Sequence, residues 1–129
     1  FWHFNNCNKS SSKKELTDQL LTNQTIKAAE KKGITMKIVN AKFTIKPEKR
    51  ENFLEDILNL IQASQTDAGC LAYDLFESNT EPNVFMMIEK WSDAQALDNH
   101  NKNQTLLTFA TKVPEYISQK PEIIVMDHD

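Results

Sequence analysis

With only two glycines in 129 residues, Gly33 and Gly69, the chain cannot build a glycine-rich phosphate loop, and the usual cradle for a nucleotide or flavin pyrophosphate is excluded with it. Its two cysteines, Cys7 and Cys70, form no Cys-x-x-Cys pair and have no histidine at metal-ligand spacing beside them. That speaks against a metal site and a disulfide framework, and it suits a reducing, cytoplasmic compartment. No run approaches the roughly 18 to 20 apolar residues of a membrane span, so no membrane association is expected. Residues 1–35 also lack the apolar stretch of a signal peptide, although a first residue of Phe1 and not Met leaves export open. Excess positive charge is missing too. The 15 Lys and Arg are scattered among 18 Asp and Glu for a net charge of -3, which gives no basic stripe and no reason to expect nucleic acid as a partner.

What is present is 40% hydrophobic and 26% charged residues, the make-up of one ordinary globular domain. A chain of this size buries roughly two thirds of the surface it would expose unfolded, enough to fold alone and to profit from dimerisation. Residues 1–12 carry no period and read as a tail. Ser12 with Glu15 makes a capping-box pattern, and Lys13 to Lys32 then runs to Gly33 with a thin apolar stripe of Leu16 and Leu20, an accessory N-terminal helix. Residues 1–35 are thus an extension, and 36–129 the domain proper.

From Met36 the pattern becomes β-rich. Val39, Ala41, Phe43 and Ile45 fall on one face of a first strand, with Ile38, Asn40, Lys42 and Thr44 on the other. Pro47 suits a first helical turn, and Phe53, Leu54, Ile57, Leu58 and Ile61 repeat at helical spacing up to Gly69. Leu71 to Glu77 reads as a second strand, residues 78–83 as a turn, and Val84 to Trp91 as a third strand pairing with the second. Ser92 with Gln95 is a further capping-box pattern, opening a short helix with Ala94 and Leu97. A second helical piece carries Leu106, Leu107 and Ala110 inward and ends at Pro114, and Ile123 to Met126 is the last strand. The order is β-α-β-β-α-β, an α+β ferredoxin-like split arrangement whose helix-free sheet face needs cover.

Gly69-Cys70-Leu71-Ala72-Tyr73 after the first helix, Glu89-Lys90-Trp91 closing the third strand, and His100 beyond it together resemble the antibiotic biosynthesis monooxygenase family. The resemblance covers Met36 to Met126. It implies a dimeric α/β barrel, a homodimer, and cofactor-independent oxidation of a small quinol-like or polyphenolic aromatic by O₂, without flavin or metal. Family members differ widely in chemistry, so two other readings stand beside it: an isomerase of a small phosphorylated sugar, and a binding protein without catalysis.

His100 is the candidate catalytic base, since His3 and His128 fall in expected tails and an imidazole titrates near neutrality. Its competing reading is a helix-surface residue. Trp91 is expected either to stack on substrate or to fill core. Glu89, on the same strand face, could orient His100, and if buried it needs a partner such as Lys42 or a tyrosine. Asn40 and Tyr73 could hold substrate oxygens, and Phe85 and Met87 share the parity of Glu89 and Trp91, as cavity lining or as core. Haem degradation, another branch of the fold, is disfavoured: Asn40 could serve it, but Leu106 to Lys112 contains no axial histidine.

Overall fold

The structure, a computed structural model, describes residues 35–129. The expected tail and the accessory helix over Lys13 to Lys32 lie outside the described residues. Strand β1 (Met36–Thr44) leads through a 3₁₀ turn (Pro47–Lys49) into helix α1 (Arg50–Ser64). The hairpin β2 (Cys70–Glu77) and β3 (Val84–Trp91) follows, then helices α2 (Ala94–Asn101) and α3 (Gln104–Tyr116) and strand β4 (Glu122–His128). All strand pairs are antiparallel, in the order β2-β3-β1-β4. This is the ferredoxin-like α+β arrangement that the sequence pattern implies. None of the described helices is long and apolar enough to cross a membrane.

Alternation decides which sheet face the helices cover. Val39, Ala41, Phe43 and Ile45 of β1 and Phe85, Met87, Glu89 and Trp91 of β3 are all buried beneath α1, α2 and α3. Phe53 of α1 is the hub of this layer, its ring within 5.1–6.3 Å of Phe43, Phe85, Phe109 and Tyr116. At the first residue of α1, Arg50 forks onto Glu77 at 2.7 and 2.8 Å and also donates to Asn83, fastening the helix start to the hairpin turn.

Strand β2 gains a residue against β3: Cys70 faces Trp91 and Tyr73 faces Glu89, with a register shift between Cys70 and Ala72. The bulge lets both Cys70 and Tyr73 turn toward the helices, and Leu71, the extra residue, lies exposed.

Several local expectations change. The cap of α2 is Asp93, whose carboxylate accepts from the Ala96 N–H, and not Ser92. Both residue types cap well, and the chain enters the helix one residue later. Pro114 does not end α3, which continues to Tyr116 because that ring packs on Phe109 and its hydroxyl reaches Asp56. The buried stripe of α3 is Leu106, Phe109, Val113 and Tyr116, so Leu107 faces outward, and on α1 Leu60 is buried where Leu58 is 52% exposed. His128 belongs to β4, opposite Met36, and not to a tail.

Gly69 holds the two halves together. Its φ of +82° suits a residue without a side chain, and a Cβ there would stand 2.5 Å from that of Ala96 and 2.8 Å from the Ser92 hydroxyl. Its carbonyl also accepts from the Ser92 N–H at 2.8 Å. Replacing Gly69 by Ala combines a left-handed backbone penalty with a clash against α2, and should cost about 2–4 kcal/mol. Urea unfolding of the variant against the parent checks this value.

Candidate functional site

The close approach of α2 to the β2 start sets His100 over the sheet. The ring is buried, with the residue 2% exposed, and it stacks on Trp91 at 4.5 Å between centroids and 29° between planes. Tyr73 meets both rings edge-on, at 5.3 Å from the imidazole and 6.2 Å from the indole. His100 Nε2 lies 3.4 Å from the Tyr73 hydroxyl and 4.0 Å from Glu89 Oε1, while Trp91 Nε1 donates to that same oxygen at 3.0 Å. On the other side of the ring, Nδ1 stands 3.2 Å from Asp67 Oδ2.

Four of the residues expected from sequence therefore gather in one place: His100, Trp91, Tyr73 and Glu89. The others do not. Asn40 lies on the opposite face of β1, between Ile88 and Ile124, because the alternation that buries Val39 and Ala41 turns it away. Phe85 packs against Phe53 and beneath the Arg50 guanidinium, at the other end of β3, and Met87 is enclosed in the core. Glu89 takes its donor from Trp91. Lys42 is on the wrong face to meet it.

The charge states follow from burial. Glu89 is fully enclosed, and loss of water pushes its carboxyl up to about 7, with the Trp91 donor and the nearby Tyr73 hydroxyl pulling the other way. Tyr73 does not reach Oε2 with hydrogen-bond geometry, so that oxygen is buried without a partner. Burial lowers the pKa of His100, opposed by the neighbouring Asp67. Burial and then the Glu89 charge hold the Tyr73 phenol well above its ordinary range. Cys70 is pushed up to about 11 by burial and by the charges of Glu89 and Asp67, so it is no thiolate nucleophile at neutral pH.

Such a cluster can take a proton at His100 Nε2, or give one from Glu89, inside a dry layer. Among the described residues no three His, Cys, Asp or Glu side chains gather to hold a metal. Beside the cluster, an apolar groove of about 480 Å³ runs between α1 and β2, lined by Leu54, Ile57, Ile61 and Leu75 and reaching Tyr73. Asp67 and Asn103, whose amide reaches the second Asp67 oxygen at 3.4 Å, were not apparent from sequence. The sequence pattern carried the helix on to Gly69 and so over Asp67, whereas α1 ends at Ser64 and Asp67 meets His100 from 33 positions away.

Residues 36–112 match the family model described as antibiotic biosynthesis monooxygenase. The chain belongs to this family. It is 38% identical over 89 residues, 69% of this chain and 94% of the relative, to a Bacillus subtilis (strain 168) protein named "Putative monooxygenase YcnE". A conserved protein from Methanosarcina mazei Go1 superposes with a TM-score of 0.71 at 24% identity, covering 78% of this chain and 99% of that one. A Nitrosomonas europaea structure named as a putative antibiotic biosynthesis monooxygenase gives 0.68 at 18% identity, over 72% and 89%, a likeness of fold alone.

In this family member the buried Glu89 leaves a signature in stability. Its carboxyl binds a proton in the folded state up to about pH 7 but only to its ordinary value near 4.5 when unfolded, so stability falls as pH rises through that interval. Glu89→Gln should flatten that decline, which urea titrations across the same interval would measure.

Proposed function

We propose that this protein is a cofactor-independent monooxygenase of a small, uncharged, hydroxylated aromatic such as a quinol, with His100 as proton acceptor. The observation that supports it is a single buried imidazole packed at once against an indole face, a phenol and a carboxylate in an apolar layer. His100 Nε2 would take the proton of a substrate hydroxyl. The anion then gives an electron to O₂, and the two radicals combine into a carbon-bound peroxide. The imidazolium returns its proton to the outer peroxide oxygen. The carbon that bears the peroxide then loses its hydrogen as a proton, that C–H electron pair forms the new carbonyl as the O–O bond breaks, and the departing hydroxide takes up the proton as water. One oxygen atom stays in the product and one leaves as water. All four electrons come from the substrate, and no external reductant is required.

The cluster's own charges favour a neutral ligand. Asp67 and Glu89 flank the imidazole, and Lys37, opposite Trp91 in the register, is tied to Asp127. Among the described residues a phosphate would find carboxylates and no uncommitted cation at the cluster, which ranks the sugar-phosphate isomerase second. His100 occupies the face of Trp91 and the cluster is closed, so substrate enters as the eight-residue α2 moves off the indole. The groove leading to Tyr73 is the apolar approach.

Oxygen uptake with a panel of hydroquinones tests this reading. His100→Ala is expected to lower kcat at least about 100-fold. Equal rates in the two proteins would remove His100 from the reaction, and binding of a quinol without turnover would favour the non-catalytic alternative.

We also propose a homodimer through the outer sheet face, where Phe76 and Ile124 are more than half exposed beside Ile38, Met86, Ile88 and Met126. A one-sided sheet needs a cover, and the cross-strand neighbours Lys42 and Glu122 would give a second copy complementary charges to meet. Sedimentation velocity should find a dimer that Ile124→Lys converts to monomer. A monomeric parent protein at high micromolar concentration would refute it.

A further inference from the structure

We propose that Asp67 is the positioning residue of this site: it accepts the N–H of His100 Nδ1, fixing the tautomer that turns the bare Nε2 toward Tyr73 and Glu89. The assignment rests on the reading of His100 as the base and adds how that base is oriented. For this task or for a hydrogen bond to the ligand, sequence reasoning offered Glu89. Its near oxygen, however, is 4.0 Å from the imidazole and already accepts from Trp91 at 3.0 Å.

Asp67 is held by both its backbone and its side chain. Its N–H donates to the Ser64 carbonyl at 3.0 Å, and its own carbonyl accepts from the Cys70 N–H at 3.1 Å. Two residues on, Gly69 is bonded to Ser92 at the mouth of α2, the helix that carries His100. The loop is thus bonded to the start of the helix that carries His100. Each carboxylate oxygen then has its own donor: Oδ2 faces His100 Nδ1 at 3.2 Å, and Oδ1 faces Asn103 Nδ2 at 3.4 Å. The Asn103 amide cannot turn over freely, because its oxygen caps α3 by accepting from the Thr105 N–H at 2.7 Å.

The tautomer follows from donor and acceptor inventory. A carboxylate only accepts, so the Nδ1 beside it must carry hydrogen, and a neutral imidazole then has its lone pair on Nε2. The Tyr73 hydroxyl faces that lone pair at 3.4 Å. The groups facing the ring are thus Asp67 from the loop, Tyr73 from β2, and Glu89 and Trp91 from β3. Of these, Asp67 is the carboxylate in contact with Nδ1, and it opposes the loss of basicity that burial imposes.

Long-range ¹H–¹⁵N correlation on ¹⁵N-histidine-labelled full-length protein reads the tautomer directly, and His100→Gln identifies its signals. The parent is expected to show His100 as Nδ1–H with a pyridine-like Nε2. In Asp67→Asn, a near-isosteric change whose fold the amide spectrum checks, that preference should be lost. The His100 pKa should fall by about one unit, as on removal of an adjacent opposite charge. With an oxidised hydroquinone, kcat should drop about 10- to 100-fold with KM little changed, and the rising limb of the pH–rate profile should move to lower pH. An Nε2–H tautomer in the parent, or an unaltered tautomer and pKa in Asp67→Asn, overturns the assignment whatever the activity. If the tautomer responds as stated while His100→Ala leaves oxygen uptake unchanged, the monooxygenase reading fails and the role of Asp67 in orienting the ring is supported.

Discussion

The arrangement depends on a contact too tight for a methyl group, between Gly69 at the head of β2 and Ala96 on α2. Because the two backbones meet there, the last turn of α2 hangs directly over the end of β3, and His100 comes down on Trp91 with stacking geometry. A looser seat would let water between ring and sheet. Glu89 would then return toward an ordinary carboxylate, and His100 toward an ordinary histidine.

Within that seat, two carboxylates play opposite parts. Glu89 is enclosed and shares one oxygen with the Trp91 indole while the other goes unmatched, so its neutral form is favoured. Asp67 sits at the margin with both oxygens engaged, and the imidazole lies between the two. The imidazole thus lies between a buried acid whose neutral form is favoured by desolvation and a carboxylate at the margin that keeps its hydrogen-bond donors.

Much of this was legible in the sequence because alternation is local. The parity of β1 and β3 and the helical spacing of Phe53 and Ile57 named the core before any coordinates did. The same parity already set Asn40 opposite Val39, and only the pull of a family position drew it toward the site. Finer boundaries were less legible, since Ser92 and Asp93 are both competent caps and since Pro114 is carried along by the anchoring of Tyr116. Asp67 was beyond reach, because nothing within its own turn relates it to an imidazole 33 positions later. The indole was left open between stacking on substrate and filling core for a similar reason. Sequence placed Trp91 and His100 near each other, but not with one ring lying upon the other.

The extra residue at Leu71 has a further consequence. In an unbroken antiparallel ladder, Cys70 and Tyr73 would point to opposite sides, and the phenol beside the imidazole would be traded for a contact on the outer surface. That hydroxyl is therefore supplied by a matter of counting, a single insertion that shifts the frame of the strand. In this chain, loss of that one residue would turn the phenol from the helices to the open face of the sheet.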